Sequence, residues 1–178
     1  SWLPGLAAEN LMPLSPVLSR RRWRLHAHGQ HIVVVKGMRE RFVHPLMKAL
    51  LWALYMPTYP DITIEVRIGD RYKPDVVAFE RDNPRFRENE PIFWGEAGQV
   101  KREKIEALVK RYPDTHFALA KWDTNLRPYA ELVSQAVQGV KRNAPFDLIN
   151  FREGSEDFVD DDGNVSLTFA DLDWLRLG

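Results

Sequence analysis

The chain has 178 residues, 44% of them hydrophobic and 28% charged, a balance that suits one globular domain and excludes wholesale disorder. Twenty-five basic and twenty-five acidic side chains cancel to a formal net charge of zero, which excludes a protein that coats nucleic acid by bulk charge alone. There is no cysteine, hence no disulfide framework and no thiolate metal site, and no apolar run is long enough to span a bilayer.

The N-terminus lacks the basic stretch and apolar core of a secretory signal, so a reducing, cytoplasmic setting is expected. Charge is unevenly spread. Residues 1–60 carry eight basic and two acidic side chains, residues 61–112 eleven of each, and residues 113–178 six basic against twelve acidic. A basic front and an acidic tail fit a polyanion footprint on one side, and equally a solvated surface.

In chain order, residues 1–19 are rich in Pro, Ala, Leu and Ser without a period and read as an N-terminal arm. Trp23–Ala27 and His31–Val35 predict a β-hairpin turned by His28-Gly29-Gln30, with Gly29 able to take positive φ. A helix follows, with Phe42, Leu46, Leu50 and Leu54 on one stripe; Pro45 restricts its regular start to near Arg41 or kinks an earlier one. Ile62, Ile64, Val66 and Ile68 alternate with polar residues and predict a half-buried strand. Gly69-Asp70 turns the chain into a second strand, Tyr72–Phe79. Pro91–Glu96, apolar almost throughout, predicts a central third strand.

Ile105, Leu108, Val109 and Tyr112 mark a crossover helix from about Val100, so the next strand, His116–Trp122, is expected parallel to the third. A helix over Arg127–Lys141 and a short strand over Phe146–Phe151 follow, then a tail with a final turn of helix. The expected fold is a single α/β domain over residues 20–152, with an αβββαβ core, a central mixed sheet flanked by helices and an N-terminal hairpin. Residues 153–178 read as an acidic C-terminal extension.

Of three Pro-Asp dipeptides, Pro60-Asp61 and Pro113-Asp114 sit at element boundaries and read as turn signals. Pro74-Asp75 differs, because Val76-Val77-Ala78-Phe79 follows at once and places a carboxylate at the mouth of a buried strand. Glu96 repeats the anomaly at the exit of the apolar strand Ile92–Gly95. Two carboxylates on adjacent strands repel, which raises one pKa or calls for a cation between them. A hard ion such as Mg²⁺ or Mn²⁺ meets that need with oxygen ligands. A structural pairing with Arg67 or Arg71 is the competing explanation.

This arrangement, a helix with an acid at its start, a hairpin with Pro-Asp, a strand ending in an acid and then a helix, resembles the PD-(D/E)XK nuclease fold over residues 30–122. Within it, Glu96-Ala97-Gly98, eight residues ahead of Lys104, is similar to the YaeQ-like branch. The resemblance implies a Mg²⁺-dependent nuclease with Asp75 and Glu96 as metal ligands and Glu40 as an extra one, a role His44 could share. It implies nucleic acid as partner, DNA before RNA; no membrane partner is expected, and a homodimer is the candidate assembly. The alternative is a nuclease-fold module that binds nucleic acid or protein without turnover.

The superfamily usually carries a lysine two residues after the strand acid, where this chain has Gly98. At about 100° per residue, Lys101 shares the sheet-facing stripe of Ile105, Leu108 and Tyr112, whereas Lys104 points about 80° away. The geometry thus favours Lys101 as the replacement cation and the resemblance favours Lys104; Gln99 could orient a water. Arg20, Arg21, Arg22 and Arg24, with Trp23 among them, are candidate phosphate contacts. His26, His28 and His31 flank a glycine turn out of phase for a common metal, and Asp160–Asn164 lacks the later glutamate of a calcium loop.

Overall fold

Alternating buried and exposed side chains fold Arg22–Ala27 (β1) and Gln30–Val35 (β2) into an antiparallel hairpin in the computed structural model, which describes residues 14–178. His28 and Gly29 make the turn with φ of 50° and 76°, the left-handed pair that matches strand twist in a two-residue loop. Trp23, Leu25, Ala27 and Val34 point inward. Most of the arm lies outside the described residues, but at its end Val17 and Leu18 are buried against the same core.

Helix α1 spans Val43–Tyr55, with Pro45 in its first turn, where the missing N–H costs nothing. Every side chain from Pro45 to Tyr55 is buried, because the hairpin and the sheet enclose the helix. The sheet has six strands in sequential order: Thr63–Ile64 (β3), Val76–Ala78 (β4), Phe93–Ala97 (β5), His116–Trp122 (β6), Phe146–Phe151 (β7) and Asp173–Leu177 (β8). β5, β6 and β7 are parallel and the other pairings antiparallel. Helices α2 (Arg102–Arg111) and α3 (Arg127–Val137) make the crossovers. The order α1-β3-β4-β5-α2-β6 is the expected αβββαβ core within a mixed α/β fold.

The sheet separates two apolar layers. Phe93, Ala97, Ala118 and Ala120 face α1, while Trp94, Phe117 and Leu119 face α2 and α3. Gly95 leaves room for side chains of its own sheet: a Cβ there would crowd Val76 and Phe93 at 3.3 Å, while Leu51 of α1 would sit at an ordinary 3.5 Å. Among the described residues no helix is long and apolar enough to cross a membrane.

Three expectations change. The strand predicted over Ile62–Ile68 ends at Ile64, because Glu65 takes φ of 55° and turns its carboxylate to Lys48, 2.6 Å away. Its partner shortens from Tyr72–Phe79 to Val76–Ala78. The predicted final helical turn is a short 3₁₀ turn, Phe169–Asp171, and it leads into β8, an unpredicted sixth strand. Val159, Val165, Leu167 and Leu172 from the acidic segment are buried in the α1-side core.

Candidate functional site

Val76 lies opposite Gly95 in the β4–β5 pairing, so Asp75, just before Val76, and Glu96, just after Gly95, leave the sheet at the same end. The Asp75 main-chain N–H donates to the Gly95 carbonyl at 3.1 Å, and the Ala97 N–H donates to Asp75 Oδ2 at 2.9 Å. The side chain thus accepts a ladder hydrogen bond, which explains how a carboxylate is tolerated at a strand mouth. From α1, His44 Nε2 lies 3.8 Å from Asp75 Oδ2 and Lys48 Nζ lies 3.7 Å from Oδ1. The two sit four residues apart, on one helix face. Burial pushes the Asp75 carboxyl up, but His44, the Ala97 N–H and Lys48 outweigh it and hold the pKa below its usual value.

Glu96 is nine-tenths buried. Its Oε1 accepts the Trp94 indole N–H at 2.9 Å and forms an ion pair with Lys104 Nζ at 2.7 Å. Apolar Val100, Ile105, Phe117 and Leu119 line the space around it. Burial and then the Asp75 charge push its carboxyl up to about 7, against the opposing pull of Lys104. The structure therefore pairs an ionised Asp75 with a Glu96 that titrates near neutrality.

Glu40 lies one step back. Its Oε1 is 2.8 Å from His44 Nδ1 and its Oε2 accepts the Gly37 N–H at 2.9 Å. Burial raises the Glu40 pKa, yet the Gly37 and His44 contacts bring it below the usual range. The His44 pKa is raised, by Asp75 above all and by Glu40, against burial. Among the described residues no three His, Asp or Glu side chains gather around a common point.

The replacement cations fall out differently from the helical count. Lys104 is the lysine on Glu96, whereas Lys101 is exposed at the α2 N-cap and Gln99 is exposed beside it. All three line an open cleft of about 510 Å³ with Arg71 and Tyr72, and Lys104 Nζ sits 5.2 Å from the Tyr72 ring centre. Gly98 has φ of 90°, a conformation a lysine would adopt only under strain. Its carbonyl accepts a hydrogen bond from Lys121 Nζ at 2.6 Å, and that ammonium lies 4.3 Å from the Tyr129 ring centre. Burial lowers the Lys121 pKa.

Lys48 and Lys121 were passed over in the sequence. The available signal was a single lysine inside an otherwise apolar element, ALLWALY after Lys48 and HFALA before Lys121. Arg20, Arg21, Arg22 and Arg24 are exposed on the hairpin and its approach, apart from the acidic pair. The His26 and His31 rings are tilted, 6.1 Å apart, and His28 Nε2 lies 3.2 Å from the Ala53 carbonyl. Asp160 Oδ1 accepts the N–H groups of Asp162 and Asn164 and so closes its own turn.

At the opposite end of the parallel strands, the fully buried Asp147 accepts the Tyr55 hydroxyl at 2.7 Å and Arg176 through both oxygens, at 2.8 and 3.0 Å. His116 Nε2 lies 2.6 Å from Asp147 Oδ2, and the Tyr59 hydroxyl 2.7 Å from His116 Nδ1.

No family model and no curated protein matches the chain. Among solved structures, YaeQ from Pseudomonas syringae superposes with a TM-score of 0.50 at 13% identity, covering 76% of this chain and 68% of its own. The fold is YaeQ-like. A second YaeQ protein, from Xanthomonas axonopodis pv. citri, gives a TM-score of 0.48 at 12% identity, covering 72% of each chain. At these identities the likeness to YaeQ concerns the fold.

Proposed function

We propose that the chain is a divalent-cation-dependent phosphodiesterase acting on nucleic acid, DNA before RNA, on a PD-(D/E)XK-type core. The observation that carries this reading is the placement of two largely buried carboxylates, Asp75 and Glu96, at the same end of two adjacent strands, where burial and the Asp75 charge push the Glu96 carboxyl up. A pair held in that state gains most from a shared cation. Mg²⁺ and Mn²⁺ fit the donor set: Mg²⁺ is commonly held by one or two carboxylates and keeps several waters, without an all-protein cage. Asp75 and Glu96 would hold the ion. Glu40, with both oxygens engaged, would orient His44 instead of serving as a third ligand.

When bound, such an ion polarises a phosphoryl oxygen and lowers the pKa of water. The chain's own groups supply the rest. Lys48 and Lys104 set positive charge on either side of the pair, where negative charge develops as phosphorus is attacked. Arg71 and Lys101 line the adjoining cleft and hold flanking phosphates, with Gln99 available to orient a water. Purified protein should cut DNA with Mg²⁺ or Mn²⁺, and Asp75→Ala should abolish cutting; cleavage that survives this substitution overturns the site.

A second reading has its own support. His44, Lys48 and Lys104 already offset the two carboxylates, and Gly98 stands where a lysine is expected. A nuclease-fold module that binds nucleic acid or protein without turnover follows from that balance. It predicts no thermal stabilisation by Mg²⁺, whereas the catalytic reading predicts a concentration-dependent rise in Tm.

A further inference from the structure

The β1–β2 hairpin has an outer face that neither core uses. Opposite the buried Trp23, Leu25 and Val34, the register places exposed Arg22 across from Val35 and exposed Arg24 across from Val33. Val33 and Val35 are 37% and 55% exposed, so this surface is open. At the open end of the hairpin, Arg20, Arg21, Arg39 and Arg41 are also exposed, and Met38 is 83% exposed. Among the described residues none of these six arginines forms an ion pair with a carboxylate. Six cations without counter-ions among the described residues, on a chain of zero net charge, mark a surface complementary to a polyanion.

We infer that the outer face of this hairpin docks a DNA duplex and leads its backbone toward Asp75 and Glu96. The inference rests on the reading of nucleic acid as the partner. Three features favour a duplex. A two-stranded ribbon fits the major groove of B-form DNA, whereas the deep, narrow major groove of A-form RNA does not admit side chains. The face carries no Phe, Tyr or Trp side chain on which unstacked bases could rest, since Trp23 is fully buried with its indole N–H on the Arg20 carbonyl. Arg22 and Arg24 are spaced about 6.6 Å along one strand, a row suited to successive backbone contacts. A lipid surface would call for aromatic or leucine anchors, and a second copy would set arginine against arginine across a two-fold axis.

Charge also sets the direction. The loop Asp160–Asp162 flanks the turn end of β1, where the His26 N–H donates to the Gly163 carbonyl, and it repels phosphate there. The arginines at the open end attract it. That end joins the site directly: the Lys36 N–H donates to the Arg21 carbonyl, Lys36 Nζ to the Glu40 carbonyl, and Glu40 contacts His44 beside Asp75.

The test is fluorescence anisotropy with the whole chain in EDTA, using a labelled 20-base-pair DNA duplex and the same strand unpaired, across a salt series. Duplex should bind more tightly than single strand. R22A/R24A should lower duplex affinity at least tenfold at low salt and flatten the slope of log K against log salt by about 2, two released phosphate contacts. K110A/K141A, which removes two exposed lysines elsewhere, should change binding less than threefold. Equal losses in the two double variants, tighter single-strand binding, or capture by phosphatidylserine vesicles but not by duplex would each overturn the inference. Duplex bound through the hairpin by a chain that never cuts supports it and removes only the catalytic reading. Cutting with unchanged KM in R22A/R24A does the reverse.

Discussion

Lys104 Nζ lies 2.7 Å from Glu96 Oε1, and through this contact the first turn of α2 controls the charge on the strand that precedes it. Lys104 opposes the burial and the Asp75 charge that raise the Glu96 pKa. Lys104→Met should therefore move Glu96 titration further up and, on the proposed catalytic reading, cut turnover about 10–100-fold, the range for loss of a group that hydrogen-bonds a metal-ligating side chain. Lys101→Met, which removes a flanking-phosphate contact from an exposed cap, should raise KM but change turnover less than about threefold. Cleavage rates measured side by side from pH 6 to 9 check both.

Stability should report the same group. The Glu96 pKa is raised in the folded chain from 4.5 to about 7, so the folded state holds a proton that the unfolded state loses first. The sign follows: the contribution is complete below about 4.5 and is lost as pH rises through about 7. Glu96→Gln should match wild-type stability near pH 4 and exceed it by about 2–3 kcal/mol at pH 8 without divalent cation. Urea unfolding at the two pH values measures this.

Gly98 is expected to resist the lysine that the nuclease pattern resembled by the sequence would put there. Its φ of 90° disfavours any side chain, although a Cβ would make only an ordinary contact with His44, at 3.5 Å. Gly98→Lys should cost about 1–2 kcal/mol in thermal unfolding and should not raise turnover. Lys104 on Glu96, and Lys121 on the Gly98 carbonyl, already bring lysine amines to this part of the chain.

Much of the core was legible because it follows simple periods. The continuous apolar run of β5 and the helical stripe of α2 placed Glu96 at a strand exit, and the Val-Val-Ala run after Asp75 placed its partner. The readings that failed depend on tertiary contacts. The Ile62–Ile68 alternation is real, yet the Glu65–Lys48 ion pair breaks it. Lys104 lies off the α2 stripe by angle, but a four-carbon stem in the first turn reaches back over the strand end to Glu96. β8 carries mostly exposed side chains, so Asp173–Leu177 gave little strand signal before β7 offered it an edge.

Asp147 supports the far end of the sheet. Burial alone would raise its pKa, but His116, Arg176 and Tyr55 together bring it down to about 2. Its stabilising contribution is thus present above 3.8 and is lost as pH falls through about 2. Asp147→Ala would strand the partners of a buried charge network and should cost about 3–5 kcal/mol. Asp147→Asn, which keeps part of the hydrogen bonding, should cost less in the same urea series.

The central claim is that Asp75 and Glu96 share one divalent cation. Isothermal titration of the whole chain with Mn²⁺ at pH 6, below the Glu96 pKa of about 7, in two buffers of different ionisation enthalpy, tests it most directly. The account predicts one saturable site per chain with proton release as the Glu96 carboxyl gives up its proton, and loss of that site in both Asp75→Ala and Glu96→Gln. No saturable binding, or a site that persists unchanged in both variants, would contradict it.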